Sequence, residues 1–242
     1  MASQDLDEDA LAAYLHLTPQ QVRRLADRGQ LPGRRVGGEW RFAEAEIHSW
    51  LEDRIGASDA DELAKVQQVV NRWSRNSPDD LTLTELLDVA AIETPLAART
   101  RSSVVRRICA LAEHTGLLWD TNRMIEAVTA REDLHPTALD NGVALLHPRR
   151  PQTSILGGPL LALGISSQPI PFGNRSGHLT DIFFLLCSTD DRVHLKVLSK
   201  LSHLLAIPEF LQSLRESDSA KTAHAVVSRF ETEFDERDEE AS

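Results

Sequence analysis

The stretch AREDLHPTALDNGVALLHPRR, residues 130–150, decides the fold of the larger part of this 242-residue chain. Its segment GVALL, residues 142–146, is a short apolar run that follows turn-forming residues, as expected of a strand covered on both faces of a sheet. His147 comes directly after this strand. Because α/β domains commonly hold their reactive groups at the carboxyl ends of strands, His147 is a candidate for chemistry, although a lone histidine in this position is more often structural. We expect its side chain to be exposed.

Further strands and helices are predicted on both sides of this stretch. The apolar runs PLLALGI, residues 159–165, and DIFFLLC, residues 181–187, have the composition of covered strands. Capping residues and apolar periodicity predict helices that start after Thr82 and at Asp120, a helix that Gly116 ends, and later helices near residues 193–205, 208–215 and 220–234. The alternation predicts an α/β domain, with a sheet between helices.

Several classes of site are excluded by their missing motifs. The nine histidines include no H-E-x-x-H and no paired Cys/His spacing, so no metal site is expected. There is no Gly-x-Ser-x-Gly elbow and no phosphate-binding loop that ends in Gly-Lys-Ser/Thr. Cys109 and Cys187 each lie in an apolar run, which predicts buried free thiols.

Charge is unevenly distributed along the chain. The net charge of −11 argues against a protein that coats nucleic acid. Residues 16–41, however, contain six arginines and two carboxylates, a local charge of +4. The first ten residues are acidic and no run approaches the ~20 apolar residues of a membrane span, so we expect a cytoplasmic protein without membrane contact.

The basic segment has the pattern of a helix-turn-helix. Two helices are expected at residues 10–15 and 18–28, the second with Thr18 as N-cap and Pro19 as first residue. The sequence LPGRRVGGEWRF, residues 31–42, predicts a hairpin with Gly37 and Gly38 at its tip, followed by a helix at residues 43–51. The predicted small core consists of Leu15, Leu17, Val22, Leu25, Trp40, Phe42 and Trp50.

Residues 6–52 resemble the excisionase and MerR-like winged helix-turn-helix family in their helix pair, G-x-LP turn, VGG-x-WRF hairpin and final I-x-x-WL. The resemblance implies a second helix in the major groove of double-stranded DNA and a wing along its backbone. Arg41 can equally be a structural ion-pair partner, and such modules sometimes bind protein. The candidate DNA-contacting residues are Thr18, Gln20, Gln21, Arg23, Arg24, Arg34, Arg35 and Arg41.

Between the two parts lies a segment with a short helical seam. Apolar residues at spacings of three, four and three are typical of an a/d seam, which can pair two chains in a homodimer or pack on the C-terminal domain. The sequence leaves both open. These residues are Leu63, Val66, Val70 and Trp73. The domain organisation expected is a DNA-binding domain at 1–54, a helical linker at 55–80, an α/β domain at 81–235 and an acidic tail at 236–242.

Residues 81–234 resemble the type-2 enzyme IIA domain of the bacterial fructose, mannitol and nitrogen-regulatory phosphotransferase systems. The match is carried by Arg131, Glu132, Thr137, Gly142, Val143, Ala144 and His147, and by PIPFG at residues 169–173. The resemblance implies a phosphohistidine carrier that needs no cofactor beyond the phosphoryl group on His147, which an HPr-like phosphocarrier supplies. Arg131 would neutralise that group, His194 would hydrogen-bond or orient His147, and Thr137 would either assist or cap a turn.

The pattern differs from the family at two positions beside the histidine. Leu146 stands where the family has proline, and Pro148 replaces a small residue and removes a backbone N–H. Arg149 and Arg150 add positive charge there, or are ordinary surface residues. Three functions therefore stay open: a DNA-binding regulator controlled by phosphorylation of His147, a phosphotransfer component that uses its N-terminal module for docking, and an interaction protein that is not phosphorylated.

Overall fold

The chain folds into two compact units, Met1–Asn76 and Ser77–Ser242. The computed structural model describes residues 5–15, 17–43, 46–47, 50–51, 81–174 and 176–240. The predicted linker and its seam residues Leu63, Val66, Val70 and Trp73 lie outside the described residues. Within the described residues, no helix combines the length and apolar character needed to cross a bilayer.

The N-terminal unit is a helix pair with a small antiparallel sheet. Its elements are β1 (Asp5–Leu6), α1 (Glu8–Leu15), α2 (Pro19–Asp27), β2 (Arg34–Val36) and β3 (Glu39–Ala43). Strand β3 lies between β1 and β2. Gly37 and Gly38 have φ of +63° and +89°, the conformation that a two-residue hairpin loop requires. The predicted helix pair and hairpin are therefore present, and strand β1 was not predicted.

The core of this unit differs in part from the prediction. Leu15, Val22 and Phe42 are buried, but Leu17 and Leu25 are partly exposed. Trp40 and Trp50 are also partly exposed, because their indole N–H groups reach polar acceptors, Asp27 Oδ1 at 3.2 Å and the Gln30 carbonyl at 2.7 Å. Other apolar residues complete the core: Leu11, Ala12, Ala26, Leu31, Ile47 and Leu51.

The C-terminal unit alternates helices and strands. Its elements are α3 (Leu83–Leu86), β4 (Leu87–Glu93), α4 (Arg101–Glu113), α5 (Thr121–Leu134), β5 (Val143–Leu146), β6 (Leu160–Ile170), β7 (Thr180–Cys187), α6 (Asp191–Leu205), α7 (Pro208–Arg215) and α8 (Ala220–Glu240). The strand order is β4-β6-β7-β5. Strands β4 and β6 are parallel, β6 and β7 antiparallel, and β7 and β5 parallel. The predicted α/β domain with a sheet between helices is confirmed, and the sheet is mixed.

Four boundaries differ from the sequence-based expectation. The capping box of Thr82 and Glu85 is present, but the helix it starts is a single turn that leads into β4, which was not predicted. Strand β6 continues to Ile170, beyond the expected end at residue 165, and α6 begins at Asp191 instead of residue 193, which places His194 in its first turn. Helix α8 extends to Glu240, beyond the predicted end at Phe234, because apolar periodicity marks the buried face and not the solvated continuation.

Helices cover both faces of the sheet. On one face, Leu146, Leu185 and Cys187 belong to a core cluster with residues of α4 and α5. Alternate residues of the same strands, Leu145 and Leu186, are buried on the opposite face, and α6 contacts β7. Cys109 and Cys187 are free and buried as predicted, and burial raises the pKa of the Cys109 thiol to about 12.

A buried carboxylate joins three helices of this unit. Glu231 of α8 accepts hydrogen bonds from the amides of Leu83, at 2.5 Å, and Thr84, at 2.8 Å, in the first turn of α3, and it pairs with Lys200 of α6 at 2.8 Å. Burial acts to raise the pKa of Glu231, but the hydrogen bonds from Lys200, Thr84 and Leu83 outweigh it, so its pKa lies below that of an ordinary glutamate.

We expect Glu231→Gln to lower the free energy of unfolding by about 2 kcal/mol at pH 7, the net value of hydrogen bonds to a charged group. Because the folded-state pKa is lowered, this stabilisation is present above the ordinary glutamate pKa of about 4.3 and is lost as the pH falls through the lowered value. Urea titrations of both proteins between pH 7 and pH 3 measure the difference. Glu233→Gln, in an exposed pair with Arg237, is the control, and a difference that stays constant down to pH 3 would contradict the assignment.

Candidate phosphoryl-transfer site

Strand β5 holds His147 at one edge of the sheet. The residues just before β5 are held by Arg215, which pairs with Asp181 of β7 at 2.7 Å and donates to the Asn141 carbonyl at 2.8 Å. Gly142 has φ of +87°, and a Cβ there would lie 2.8 Å from Arg215 Nη2. Glycine is therefore required for both the backbone conformation and the close approach of the arginine.

His147 is buried, with 3% of its surface exposed, so the expectation of an exposed side chain was wrong. The ring is covered by residues of two helices. Arg131 of α5 donates from Nε to His147 Nε2 at 3.2 Å, and the ring centroid of His194 of α6 lies 5.2 Å from that of His147. Arg131 and His194 lie 16 and 47 positions from His147 in the sequence. The residues next to the end of a strand therefore do not predict that the histidine is covered.

Hydrogen bonds define the tautomer of His147. Its Nδ1 lies 2.9 Å from the carbonyl oxygen of Leu145, and because a carbonyl accepts and never donates, Nδ1 carries the proton. Nε2 then holds the lone pair that accepts the hydrogen bond from Arg131. The nucleophilic nitrogen of the neutral ring is therefore Nε2.

Arg131 is fixed by its position at the end of α5. It is 9% exposed, and its Nη1 donates to the carbonyl of His135, the C-cap residue, at 2.7 Å. The guanidinium therefore binds the helix end and the imidazole with different nitrogens. The structure thus brings the side chains of Arg131 and His147 into contact.

His194 lies in the first turn of α6 and is also buried, at 4% exposure. Its ring is tilted by 59° relative to that of His147. The turn is set by Asp190, whose side chain accepts from the amides of Arg192 and Val193 at 2.9 and 3.1 Å. The N-cap Asp190 thus fixes the helix turn that holds His194 beside His147.

Thr137 is held by a carboxylate that sequence reasoning did not assign to the site. Glu132 is 1% exposed and accepts hydrogen bonds from both the hydroxyl and the amide of Thr137. The Thr137 carbonyl accepts from the Leu145 amide at 3.4 Å. Burial raises the pKa of Glu132, against the lowering effect of the Thr137 hydrogen bonds. No hydrogen bond between Thr137 and His147 is present among the described residues, and the polar contacts of the Thr137 side chain and amide go to Glu132.

The helical period of α5 was a signal for Glu132. Met124, Val128, Arg131 and Glu132 are the buried residues of this helix, at spacings of four, three and one. Charged residues on the buried face of a helix are unusual unless they have partners. The helical spacing therefore indicates that both Arg131 and Glu132 have a structural or functional role.

The two positions that depart from the family pattern are both buried. Leu146 is a core residue of β5, paired with Leu185, and Pro148 is buried after His147. Arg149 and Arg150 are exposed. The loop then returns to the sheet, where the Gln152 amide donates to the Ser188 carbonyl at 3.1 Å.

The N-terminal unit presents fewer unpaired cations than its sequence suggested. Four arginines pair with carboxylates, and two of those carboxylates lie before the basic segment. The pairs are Arg23–Glu8, Arg34–Asp5, Arg35–Asp27 and Arg41–Glu39, at 2.6–3.0 Å. Residues 5–43 contain six arginines and six carboxylates, a formal net charge of zero.

The start of α2 uses two of the candidate DNA-contacting residues for capping. The Thr18 side chain accepts from the Gln21 amide at 3.3 Å, and Gln21 Oε1 accepts from the Thr18 amide at 2.8 Å. Gln20 and Arg24 are exposed. Arg24 forms no ion pair with the residues that the structure describes.

Comparison with known proteins assigns both units. The family described as the phosphoenolpyruvate-dependent sugar phosphotransferase system, EIIA 2, matches residues 85–230, and a helix-turn-helix domain family matches residues 6–55. The nitrogen regulatory protein of Bradyrhizobium diazoefficiens is 28% identical over 150 residues, which are 61% of this chain and 95% of that protein.

Two other relatives agree with this assignment. The PTS system fructose-specific EIIABC component of Bacillus subtilis is 26% identical over 141 residues, 57% of this chain, and the match spans 22% of that protein's length. The crystal structure of the nitrogen regulatory protein IIA-Ntr from Neisseria meningitidis has the same fold, with a TM-score of 0.54, 24% identity, and coverage of 60% of this chain and 98% of that one. The chain therefore belongs to the EIIA 2 family of the phosphoenolpyruvate-dependent sugar phosphotransferase system and carries an N-terminal helix-turn-helix domain.

Proposed function

We propose that this chain is a regulator whose EIIA domain accepts a phosphoryl group on Nε2 of His147 and whose helix-turn-helix domain binds DNA. The observation that carries the proposal is the arrangement around His147. The Leu145 carbonyl fixes the proton on Nδ1, and the lone pair of Nε2 lies against the guanidinium of Arg131. A cation beside a neutral nitrogen nucleophile suits the transfer of a phosphoryl group.

The step that we propose is a direct exchange between two imidazoles. The donor is a phosphohistidine on an HPr-like carrier protein, as the resemblance to the family implies. The P–N bond of the donor breaks, its nitrogen keeps the electron pair, and the Nε2 lone pair of His147 forms the new bond to phosphorus. The Nδ1 proton of His147 stays on its hydrogen bond to Leu145.

Arg131 changes its acceptor during this step. Once Nε2 is bonded to phosphorus it has no lone pair for Arg131, so the Nε–H of Arg131 donates to a phosphoryl oxygen. The resulting hydrogen bond joins a cation to an anion and is stronger than the one it replaces. His194, whose ring lies 5.2 Å from that of His147, orients the imidazole or binds the phosphoryl group.

Phosphorylation is tested with the full chain. The purified protein is incubated with phosphoenolpyruvate, enzyme I and an HPr-like carrier, and acid-labile phosphate is mapped by mass spectrometry under alkaline conditions. We expect one phosphoryl group, on His147. A protein that takes up no phosphate from an active carrier would leave the interaction-protein function as the remaining one.

The regulatory part of the proposal rests on the fusion of the two domains. The relative whose length is almost fully matched is named a nitrogen regulatory protein. In this chain the same domain type follows a helix-turn-helix domain, so we propose that the phosphorylation state of His147 changes DNA binding and thereby transcription.

A second function is favoured by the charges of the N-terminal unit. With six arginines balanced by six carboxylates, residues 5–43 lack the excess of positive charge from which most DNA-binding domains gain affinity. This balance favours a phosphotransfer component whose N-terminal module docks on another protein.

Substitutions in α2 separate the two functions. We expect Arg24→Ala to weaken DNA binding more than Arg23→Ala, because Arg24 is exposed whereas Arg23 is bound to Glu8 at 2.7 Å. If Arg24 reaches phosphate, the slope of log affinity against log salt becomes shallower by about one. Glu8→Gln releases Arg23 and should strengthen binding. Gel-shift titrations of the full chain at two salt concentrations measure this, and equal affinities of all variants for any DNA would favour the docking module.

A further inference from the structure

Ser188 lies at the same edge of the sheet as His147. Strands β5 and β7 are parallel neighbours, with Leu146 in register with Leu185, so both end at this edge. His147 is the residue after β5 and Ser188 is the residue after β7.

The two side chains also lie on the same face. Side chains alternate along a strand, and partners in register point to the same side. Leu146 and Cys187 belong to the core cluster with α4 and α5, so the residues that follow them, His147 and Ser188, lie on the opposite face. That face also receives His194 of α6, whose ring is 5.2 Å from that of His147.

The hydroxyl of Ser188 is buried without a partner. The residue is 1% exposed, and Oγ has no hydrogen bond to any part of the chain that the structure describes. Leaving a buried polar group unpaired is unfavourable, so such groups are concentrated at strained or functional positions. The backbone is fixed by the Gln152 amide, which donates to the Ser188 carbonyl at 3.1 Å, so rotation of the hydroxyl is the remaining freedom.

Neighbouring donors are already engaged. The amides of Arg192 and Val193 in the first turn of α6 donate to the Asp190 side chain. The cap therefore occupies these two amides of the helix N-terminus. A hydroxyl that carries one donor hydrogen and is free to rotate is thus a suitable group to bind an additional oxygen at this edge.

We propose that Ser188 is a phosphate-binding residue, whose Oγ–H donates to an oxygen of the phosphoryl group on Nε2 of His147. This inference rests on the proposed function of His147. In the unphosphorylated chain the hydroxyl has no acceptor among the residues that the structure describes, and the phosphoryl oxygen supplies one. Ser188 thereby stabilises the phosphorylated form relative to the unphosphorylated form, and the position of the exchange equilibrium with the carrier depends on it.

The test compares two buried hydroxyls of one strand. Thr180 is the first residue of β7, at the end of the strand opposite to Ser188. It is fully buried, and its Oγ1 likewise has no hydrogen-bond partner among the described residues. Ser188→Ala and Thr180→Val are each mixed with phosphorylated HPr-like carrier, and the ratio of the two phosphoproteins at equilibrium is measured. We expect Ser188→Ala to shift the equilibrium toward the carrier about tenfold or more, as a hydrogen bond to a charged group implies, and Thr180→Val to leave it unchanged.

Thermal unfolding of the unphosphorylated proteins supplies the second readout. Because the Ser188 hydroxyl forms no hydrogen bond to any described residue in that state, Ser188→Ala should unfold at the wild-type temperature or above it. An equilibrium ratio equal to that of the wild type, or equal shifts in both variants, would overturn the role of Ser188 while His147 stays phosphorylated. A wild-type chain that accepts no phosphate overturns the proposed function itself, and the role of Ser188 with it.

Discussion

Replacing His147 with glutamine is expected to reduce acid-labile phosphorylation of the chain to background. Nε2 is the nucleophile that we propose, since the Leu145 carbonyl fixes the proton on Nδ1, and the amide nitrogen of glutamine has no available lone pair. Labelling from radioactive phosphoenolpyruvate through enzyme I and an HPr-like carrier measures the loss. Label that persists in the variant, or that maps to His194, would contradict the assignment of His147.

Glutamine is chosen over alanine because the side chain is buried. His147→Ala would leave a cavity and remove the acceptor of the Arg131 hydrogen bond, so lost activity could reflect lost structure. The glutamine oxygen can accept from Arg131 in place of the imidazole. His114→Gln is the matched control, because His114 is exposed and caps the C-terminus of a different helix, α4. It should be labelled at the wild-type rate.

The second large effect is expected for Arg131→Ala, which should slow phosphoryl uptake by about 10²-fold, the usual cost of removing one donor that stabilises developing charge. Uptake should not be abolished, because Arg131 stabilises charge and forms no bond to phosphorus. Single-turnover rates with phosphorylated carrier in excess measure the transfer step itself. An unchanged rate would show that Arg131 takes no part in the transition state.

Two further variants distinguish this role from a structural one. Arg131→Lys keeps the charge, but a single ammonium lacks the fork that donates to both His147 and the His135 carbonyl, so we expect an intermediate rate. Arg123→Ala removes an exposed arginine from the same helix and should leave the rate unchanged. A loss of rate in Arg123→Ala equal to that in Arg131→Ala would indicate a general effect of charge and not a contact with the phosphoryl group.

The charge balance of the N-terminal unit shows the limit of counting charges along a segment. Residues 16–41 have a net charge of +4, but Asp5 and Glu8, which lie outside that segment, pair with Arg34 and Arg23. Exposed pairs of this kind contribute little to stability. These ion pairs do determine which arginines are available to bind another molecule. Of the two arginines of α2, Arg24 is therefore a stronger candidate for DNA contact than Arg23, which is paired with Glu8.

Features governed by residues close together in the chain were predicted well. The N-cap at Thr18, the capping box of Thr82 and Glu85, the helix start at Asp120 and the hairpin at Gly37 and Gly38 depend on local backbone conformation, and each is present. The strand that precedes His147 was predicted from its apolar run and turn residues. Strand β4 was not predicted, because the capping box of Thr82 and Glu85 indicated a longer helix than the single turn that precedes this strand.

The sequence by itself therefore determined the two-domain organisation and the α/β class, because periodicity, caps and turn residues act over a few positions. The resemblance of residues 81–234 to the enzyme IIA family singled out His147 as the candidate histidine. The tertiary structure alone decided the burial of His147, the tautomer of its ring, the engagement of Thr137 by Glu132 and the placement of Ser188 on the same sheet face. The physical reason is that burial and hydrogen bonding are set by strands and helices that meet from distant parts of the chain. A pattern of neighbouring residues in the sequence does not predict which carbonyl, carboxylate or hydroxyl will lie beside a given imidazole.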